Sequence, residues 1–376
     1  MLRALARVDL GAIERNARRL AAVAGPAALC AVVKADAYGH GMLPAARAAR
    51  AGGASWLAVA TAEEARALRE GGLDGPVLVM GALSDEELAV AVAARADVVA
   101  WREAFVERLA ALAGAERGGG GAPGRGSGIG VHVKLDTGMG RLGTRDAAEA
   151  TRVADAVAAR GSLRLAGAMT HFATADDDPA FLAEQLEAFA PWARAVKAAH
   201  PEVLVHAANS AATLREPAAH FDLVRCGIAV YGMDPFHEDP ANQGLEPAMA
   251  LVSYVAEVKE AQPGQSAGYG RRFVAERPTR IGTLPIGYGD GVRRALSNNA
   301  DVLVEGRRVP LVGTVSMDNV TVDLGEAGAE RGAEAVLIGG QGGERILAEE
   351  WARRLGTINY EVTCGISARV PRVHEP

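Results

Sequence analysis

The chain has 376 residues, 49% of them hydrophobic, with 46 acidic and 40 basic residues for a formal net charge of -6. That is apolar material for a large core, and the charge balance offers no footprint for nucleic acid or an anionic membrane. Three cysteines, Cys30, Cys226 and Cys364, are odd in number and far apart, which argues against a disulfide framework or a zinc site and for buried reduced thiols.

At the N-terminus Arg7 and Asp9 interrupt the sequence before the apolar core of a signal peptide can form. The apolar stretch 21–33 is broken by Gly25-Pro26 and falls short of the roughly 20 residues that cross a bilayer. A cytoplasmic protein is expected. Eight apolar, β-branched runs of strand length then follow, at 28–33, 55–60, 76–80, 96–100, 130–135, 163–169, 203–207 and 223–230. They are continuous more than alternating, which suits a parallel sheet buried on both faces.

Helical segments separate the runs. Thr61-Ala62-Glu63-Glu64 opens one that closes at Gly71-Gly72, Ser84-Asp85-Glu86-Glu87 opens a second with a capping-box pattern, and Asp178-Pro179 opens a third. Eight strands alternating with helices predict a (β/α)8 TIM barrel, with a doubly wound open sheet as the alternative. The stretch 118–128, rich in glycine, lacks a phosphate-loop lysine and precedes a strand, so it reads as a surface insertion. Beyond about Gly232 the texture changes to short Val/Ile/Thr runs at 251–258, 279–284, 301–304, 309–312 and 320–322. The expected division is an α/β barrel over 1–240 and a mostly β C-terminal domain over 241–376, linked through 233–247, with residues 1–10 joining the second domain.

In such a barrel the chemistry lies at the C-terminal ends of the strands. Lys34 and Tyr38 follow the first run, and Asp136 to Arg141 the fifth. His171 follows the sixth, Asn209-Ser210 the seventh, and the eighth contains Arg225 and Gly227-Ile228. A lysine directly after a buried run has its charge disfavoured by desolvation, which prepares an amine to attack a carbonyl. On the residues alone, a lysine that has merely reached the surface is an equal reading.

The run Val33-Lys34-Ala35-Asp36-Ala37-Tyr38-Gly39-His40-Gly41 resembles the cofactor-lysine motif of alanine racemases. Lys134 to Gly143, Thr170-His171-Phe172, Asn209-Ser210 and Arg225 to Gly232 resemble further blocks of that family, in order. So do Gly268-Tyr269-Gly270, Ile286 to Gly291, Val315-Ser316-Met317-Asp318 and Tyr360-Glu361-Val362. The resemblance spans essentially the whole chain. Ala267-Gly268 and Gly289 depart from common family residues, and neither removes a functional group.

The resemblance implies a homodimeric isomerase that interconverts L-alanine and D-alanine, supplying D-alanine for peptidoglycan. It implies pyridoxal 5'-phosphate bound as a Schiff base on Lys34, a two-base mechanism through an external aldimine, and no metal. Lys34 serves one face of the substrate, and Tyr269 of the partner subunit the other. His171 supports Tyr269. Arg225 faces the pyridine nitrogen, and because arginine only donates that nitrogen stays unprotonated and transamination is restrained. An Arg225→Glu variant is then expected to gain transaminase activity. Tyr38, Asn209, Ser210, Gly227, Ile228 and Tyr360 bind the cofactor with Arg141, which also contacts the substrate carboxylate together with the backbone of Met317. Lys134 is expected to be carbamylated and to position Arg141, and Tyr288, Arg294 and Asp318 line the entrance. A serine-preferring or broad racemase, a decarboxylase of the same fold and a non-catalytic cofactor-binding barrel are the rival readings.

Overall fold

Eight of the apolar runs become eight parallel strands in the computed structural model, which describes residues 2–116, 128–325 and 328–376. They are β1 (Ala28–Val32), β2 (Trp56–Val59), β3 (Val77–Val79), β4 (Asp97–Ala100), β5 (Ile129–Lys134), β6 (Leu163–Met169), β7 (Leu204–His206) and β8 (Leu223–Cys226). Each pairs with the next from β1 to β7, and β8 returns to pair with β1, Ala28 opposite Leu223. Between β7 and β8 the Asp222 N–H donates to the Val205 carbonyl and the Arg225 N–H to the Ala208 carbonyl, both at 2.9 Å. The result is a nearly closed barrel whose strands are buried along almost their full length.

Local sequence explains the surrounding helices. Thr61 and Ser84 both close capping boxes, with Glu64 and Glu87 reaching back to the cap backbone. Asp178 caps the helix Pro179–Ala199, whose first residue is the expected proline. The eighth run extends past its strand. After Cys226 the chain turns into a 3-10 segment, Ile228–Tyr231, whose side chains stay buried, so apolar continuity alone could not mark the strand's end. Residues 118–127 of the glycine-rich loop lie outside the described residues.

This barrel unit comprises Glu14–Ala37 and Met42–Val230. A second unit comprises Met1–Ile13, Tyr38–Gly41 and Tyr231–Pro376. Its main sheet runs, strand by strand, Glu257–Ala261, Thr279–Leu284, Val320–Asp323, Arg307–Val312, Asp301–Val304, Glu334–Gln341, Met249–Tyr254, Leu5–Asp9 and Arg372–Glu375. The expected run 251–258 is two strands, Met249–Tyr254 and Glu257–Ala261, hydrogen-bonded to different neighbours. The strand Glu334–Gln341 was not among the expected runs, and it contains Gly339-Gly340, a pair that weakens a strand signal.

None of the three cysteines is in a disulfide. Cys30 and Cys226 are buried, but Cys364 is exposed, which corrects the expectation of three buried thiols. It ends the short helix Asn359–Cys364, whose buried face is formed by Val362 and Thr363. Among the described residues no helix is long and apolar enough to cross a membrane, and no group of three or more His, Cys, Asp or Glu could hold a metal ion.

Candidate active site

The site begins where β1 ends. Val33 is fully buried and its N–H donates to the Ala58 carbonyl at 2.8 Å, so the strand hands Lys34 to the barrel mouth, where it is half-buried. The backbone then turns left-handed for four residues that are not glycine, with φ 51° at Ala35, 52° at Asp36, 56° at Ala37 and 55° at Tyr38. Such a conformation costs about 1–2 kcal/mol per residue, so the surroundings must hold it. The Ala37 N–H donates to Val33 O at 3.0 Å, the Met42 N–H to Asp36 Oδ1 at 2.7 Å, and the Ala35 N–H to Glu64 Oε1 at 2.7 Å.

Arg225, on β8, is 3% exposed and both terminal nitrogens of its guanidinium donate. One nitrogen donates to His206 Nδ1 at 2.8 Å. The other donates to the carbonyls of Thr170 (2.8 Å) and Ala207 (3.0 Å) and to His171 Nδ1 (3.2 Å). Burial lowers its pKa to about 10. Arginine has no acceptor, which fixes the ring tautomers. His206 Nδ1 accepts, so its Nε2–H donates to His132 Nδ1 at 2.7 Å, and His132 Nε2–H points to Asp97 at 3.4 Å. Asp97 also accepts from Arg164 at 3.0 Å. Burial pushes its carboxyl up, but His132 and Arg164 outweigh that and hold it below the ordinary range.

This polar chain through the barrel core was not foreseen from the sequence. Two glycines make room for it. A Cβ on Gly130 would lie 2.2 Å from the Asp97 carboxylate, and one on Gly167 would lie 2.0 Å from His132 Nδ1. A glycine inside a strand marks such a close approach, and that was the available signal.

His171 and His206 are both held well below the ordinary histidine range, first by burial and then by Arg225; Lys134, Arg141 and Lys34 add to the effect at His171. In the unfolded chain they take a proton near pH 6.5, and in the fold they do not. The unfolded state therefore binds more protons below that pH, and stability falls on acidification by about 1.4 kcal/mol per pH unit for each ring. Urea unfolding followed from about pH 7.5 to 5.5 should show the midpoint falling steadily, whereas a flat profile would mean the rings titrate normally.

Lys134 ends β5 at 4% exposure. Burial, with Arg225 and Arg141 beyond it, pushes its pKa down to about 8, against an opposing pull from Asp136. The loop after it returns to the strand, with the Asp136 N–H donating to Thr144 O at 2.8 Å. Burial raises the Asp136 carboxyl, but the Gly140 and Gly138 N–H groups and Arg145 hold it below its usual value. Arg141 projects from this braced loop and is exposed.

On the same rim Asn209 caps the helix Ser210–Arg215 through the Ala212 N–H. The Ser210 hydroxyl, 3% exposed, accepts from the Gly227 N–H at 2.9 Å and the Ala229 N–H at 3.4 Å. Backbone N–H groups thus converge at the turn into Ile228–Tyr231, as at an anion site.

The remaining expected residues lie in the second unit. Tyr38 packs against Tyr231 and Tyr360, with ring centroids at 5.1 and 6.0 Å. Tyr269 sits in the turn between the paired strands Ser266–Ala267 and Phe273–Val274, flanked by Gly268 and Gly270 at φ 76° and 71°. Its carbonyl is held by Thr314 Oγ1 at 2.7 Å, yet the residue is 74% exposed. Met317 is 52% exposed, and Tyr288, Arg294 and Asp318 are exposed as well. The turns carrying Tyr288 and Met317 are joined by the N–H groups of Tyr288 and Gly289, which donate to Ser316 O and Met317 O at 2.9 Å. Behind them Asp290, fully buried and absent from the sequence expectations, takes both nitrogens of Arg3 at 2.7 and 3.0 Å.

An amine among cations at the mouth of a parallel barrel, with a turn ready for an anion on the same rim, equips an amine-dependent barrel enzyme that handles anionic compounds. Comparison with known proteins narrows the class. Residues 8–235 match the family described as alanine racemase, N-terminal domain, and residues 248–374 match alanine racemase, C-terminal domain. The chain belongs to the alanine racemase family. It is 44% identical over 380 residues to an alanine racemase of Frankia casuarinae, covering 99% of this chain and 96% of that protein. Identity to an alanine racemase of Thermobifida fusca is 43%, covering 98% and 97%. The crystal structure of alanine racemase from a D-cycloserine-producing Streptomyces lavendulae superposes with a TM-score of 0.92 at 39% identity, covering 100% of this chain and 98% of that one.

Proposed function

We propose that this enzyme interconverts L-alanine and D-alanine with pyridoxal 5'-phosphate bound covalently to Lys34. The observation that carries the reading is the Arg225 guanidinium, held by Thr170, Ala207, His171 and His206 on the rim that bears Lys34. It is a fixed cation that cannot accept a proton, on the scaffold of a family that depends on this cofactor. Pyridoxal phosphate, when bound, supplies an electron sink that makes the substrate Cα–H acidic. The residues present fit it: Lys34 supplies the amine, the Ser210 and Gly227 turn suits a phosphate, and Arg225 suits an unprotonated ring nitrogen. Asn209, Ile228, Tyr38 and Tyr360 complete the proposed cofactor set.

Racemisation requires an acid/base group on each face of the substrate, within hydrogen-bond reach. Lys34 serves one face. Tyr269 of the partner subunit serves the other, in a homodimer whose sites are shared. Support for the second half is the exposure of Tyr269, Tyr288 and Met317, large side chains of the second unit that a second copy would cover. A tyrosine whose ordinary pKa is about 10 needs help to take a proton near neutrality. His171 provides it: with Nδ1 accepting from Arg225, its Nε2–H is directed away as a donor for a phenolate oxygen. Arg141 binds the substrate carboxylate with the backbone of Met317. Tyr288, Arg294 and Asp318 line the entrance, and D-alanine made this way would feed peptidoglycan.

Lys134 is proposed to carry a carbamate. At a pKa of about 8 roughly a tenth of its amine is unprotonated at pH 7 and open to carbon dioxide, against less than about one in a thousand for an ordinary lysine. The product is an anion beside Arg141 and Arg225, replacing a repulsion with an attraction. Incubation with 13C-bicarbonate should give a carbamate resonance that a Lys134→Ala variant lacks; its absence from both would refute the assignment. The Arg225→Glu variant is expected to lose stability as it gains transaminase activity, because the carbonyls of Thr170 and Ala207 lose their donor.

The reaction is tested by purifying the protein with pyridoxal phosphate and following D-alanine formation from L-alanine. A visible cofactor band with rapid D-alanine formation is expected. Bound cofactor with no racemisation of alanine would contradict the reading.

A further inference from the structure

Glu64 accepts two hydrogen bonds more than helix capping requires. A capping box asks its third helical residue to accept from the cap backbone, which Glu64 Oε2 does at the Thr61 N–H (3.1 Å) while also accepting the Ala60 N–H (2.8 Å). Oε1 is turned away from the helix and accepts the Ala35 N–H at 2.7 Å. One carboxylate thus joins the residue after Lys34 to the end of β2. Bonds from Ala37 to Val33, from Met42 to Asp36 and between His40 and Tyr38 join residues within the same short segment. The Glu64 bond reaches the turn from a different strand-and-helix unit of the barrel.

We propose that Glu64 is a positioning residue for Lys34. By holding Ala35 at the first left-handed position, it fixes where the backbone leaves β1 and therefore where the Lys34 amine is presented. The proposal rests on the reading of Lys34 as the cofactor-binding base. It adds that this base is aimed by a carboxylate which touches neither cofactor nor substrate. A bare alanine at 35 has no preference for this conformation, so without the carboxylate the turn relaxes and the amine loses its fixed approach.

Three variants separate aiming from capping. Thr61→Ala removes the hydroxyl that accepts the Glu64 N–H and weakens the box, leaving Ala35 tethered. Glu64→Ala removes all three bonds. Glu64→Gln keeps a residue that capping boxes accept, but its single oxygen cannot serve both directions, which guards against a folding failure of the alanine variant.

Amide hydrogen exchange of the segment 34–38, measured on cofactor-free protein, is expected to speed up about tenfold in both Glu64 variants and to stay at the wild-type rate in Thr61→Ala. In the loaded enzyme, kcat should fall about tenfold in the Glu64 variants with KM for L-alanine little changed, and Thr61→Ala should keep its kcat. If the Glu64 variants track Thr61→Ala in both exchange and kcat, Glu64 is a helix cap and the proposal is overturned. If the wild-type protein does not racemise alanine, the functional reading falls by itself, and the exchange measurement still decides whether Glu64 holds the turn.

Discussion

Lys34→Ala is expected to lower racemase activity by about 10^4-fold or more and to abolish the visible cofactor band. The amine is proposed to do two jobs, so its loss removes both the covalent anchor and one of the two proton-transfer groups. The fold should survive. Lys34 is half-buried at the barrel mouth, and the hydrogen bonds that hold the turn after it run through backbone N–H groups and the side chains of Glu64 and Asp36. Unfolding near the wild-type temperature with no activity would therefore assign the loss to chemistry. If Lys34 were a lysine that had merely reached the surface, the alanine variant would keep both band and activity.

Tyr269→Phe is expected to cost about 10^2- to 10^4-fold in kcat, the range for removing one general acid/base. The more telling readout is exchange of the Cα proton in heavy water. With one base gone and the other intact, one enantiomer of alanine should still exchange its proton while the opposite enantiomer does not. A tyrosine that only shaped the turn would slow both equally. The local structure favours a clean experiment. The Tyr269 backbone is fixed through its carbonyl and the glycines beside it, and the ring is largely exposed, so deleting the hydroxyl disturbs no packing within the chain.

The barrel was legible because parallel strands buried on both faces leave continuous apolar runs, and all eight fell where the sequence indicated. The helix starts at Thr61 and Ser84 were equally readable, since capping chemistry is local. Lys34, His171 and Arg225 stood out as candidates because they follow or close apolar strand runs. The site was opaque where chemistry runs through the core. His132, His206 and Asp97 lie within or at the ends of buried strands, where no local motif sets them apart. Only Gly130 and Gly167, small residues opposite them, hinted otherwise. The left-handed turn was invisible for a different reason. Ala35 and Ala37 prefer right-handed backbone, and the conformation is imposed by Glu64, which lies 29 residues away and was legible only as a helix cap. Exposure of Tyr269 and Met317 likewise depends on how the second unit folds, which their motifs do not encode.

The central claim is that each site combines Lys34 with Tyr269 of the partner subunit, and mixing two inactive variants tests it most directly. Lys34→Ala and Tyr269→Phe chains, unfolded together and refolded in equal amounts, should form mixed dimers in which one of the two sites has both bases. Random pairing then restores about a quarter of wild-type activity from two preparations that have almost none alone. A mixture that remains as inactive as its components, despite demonstrated exchange of subunits, would mean that the two groups do not meet across the dimer.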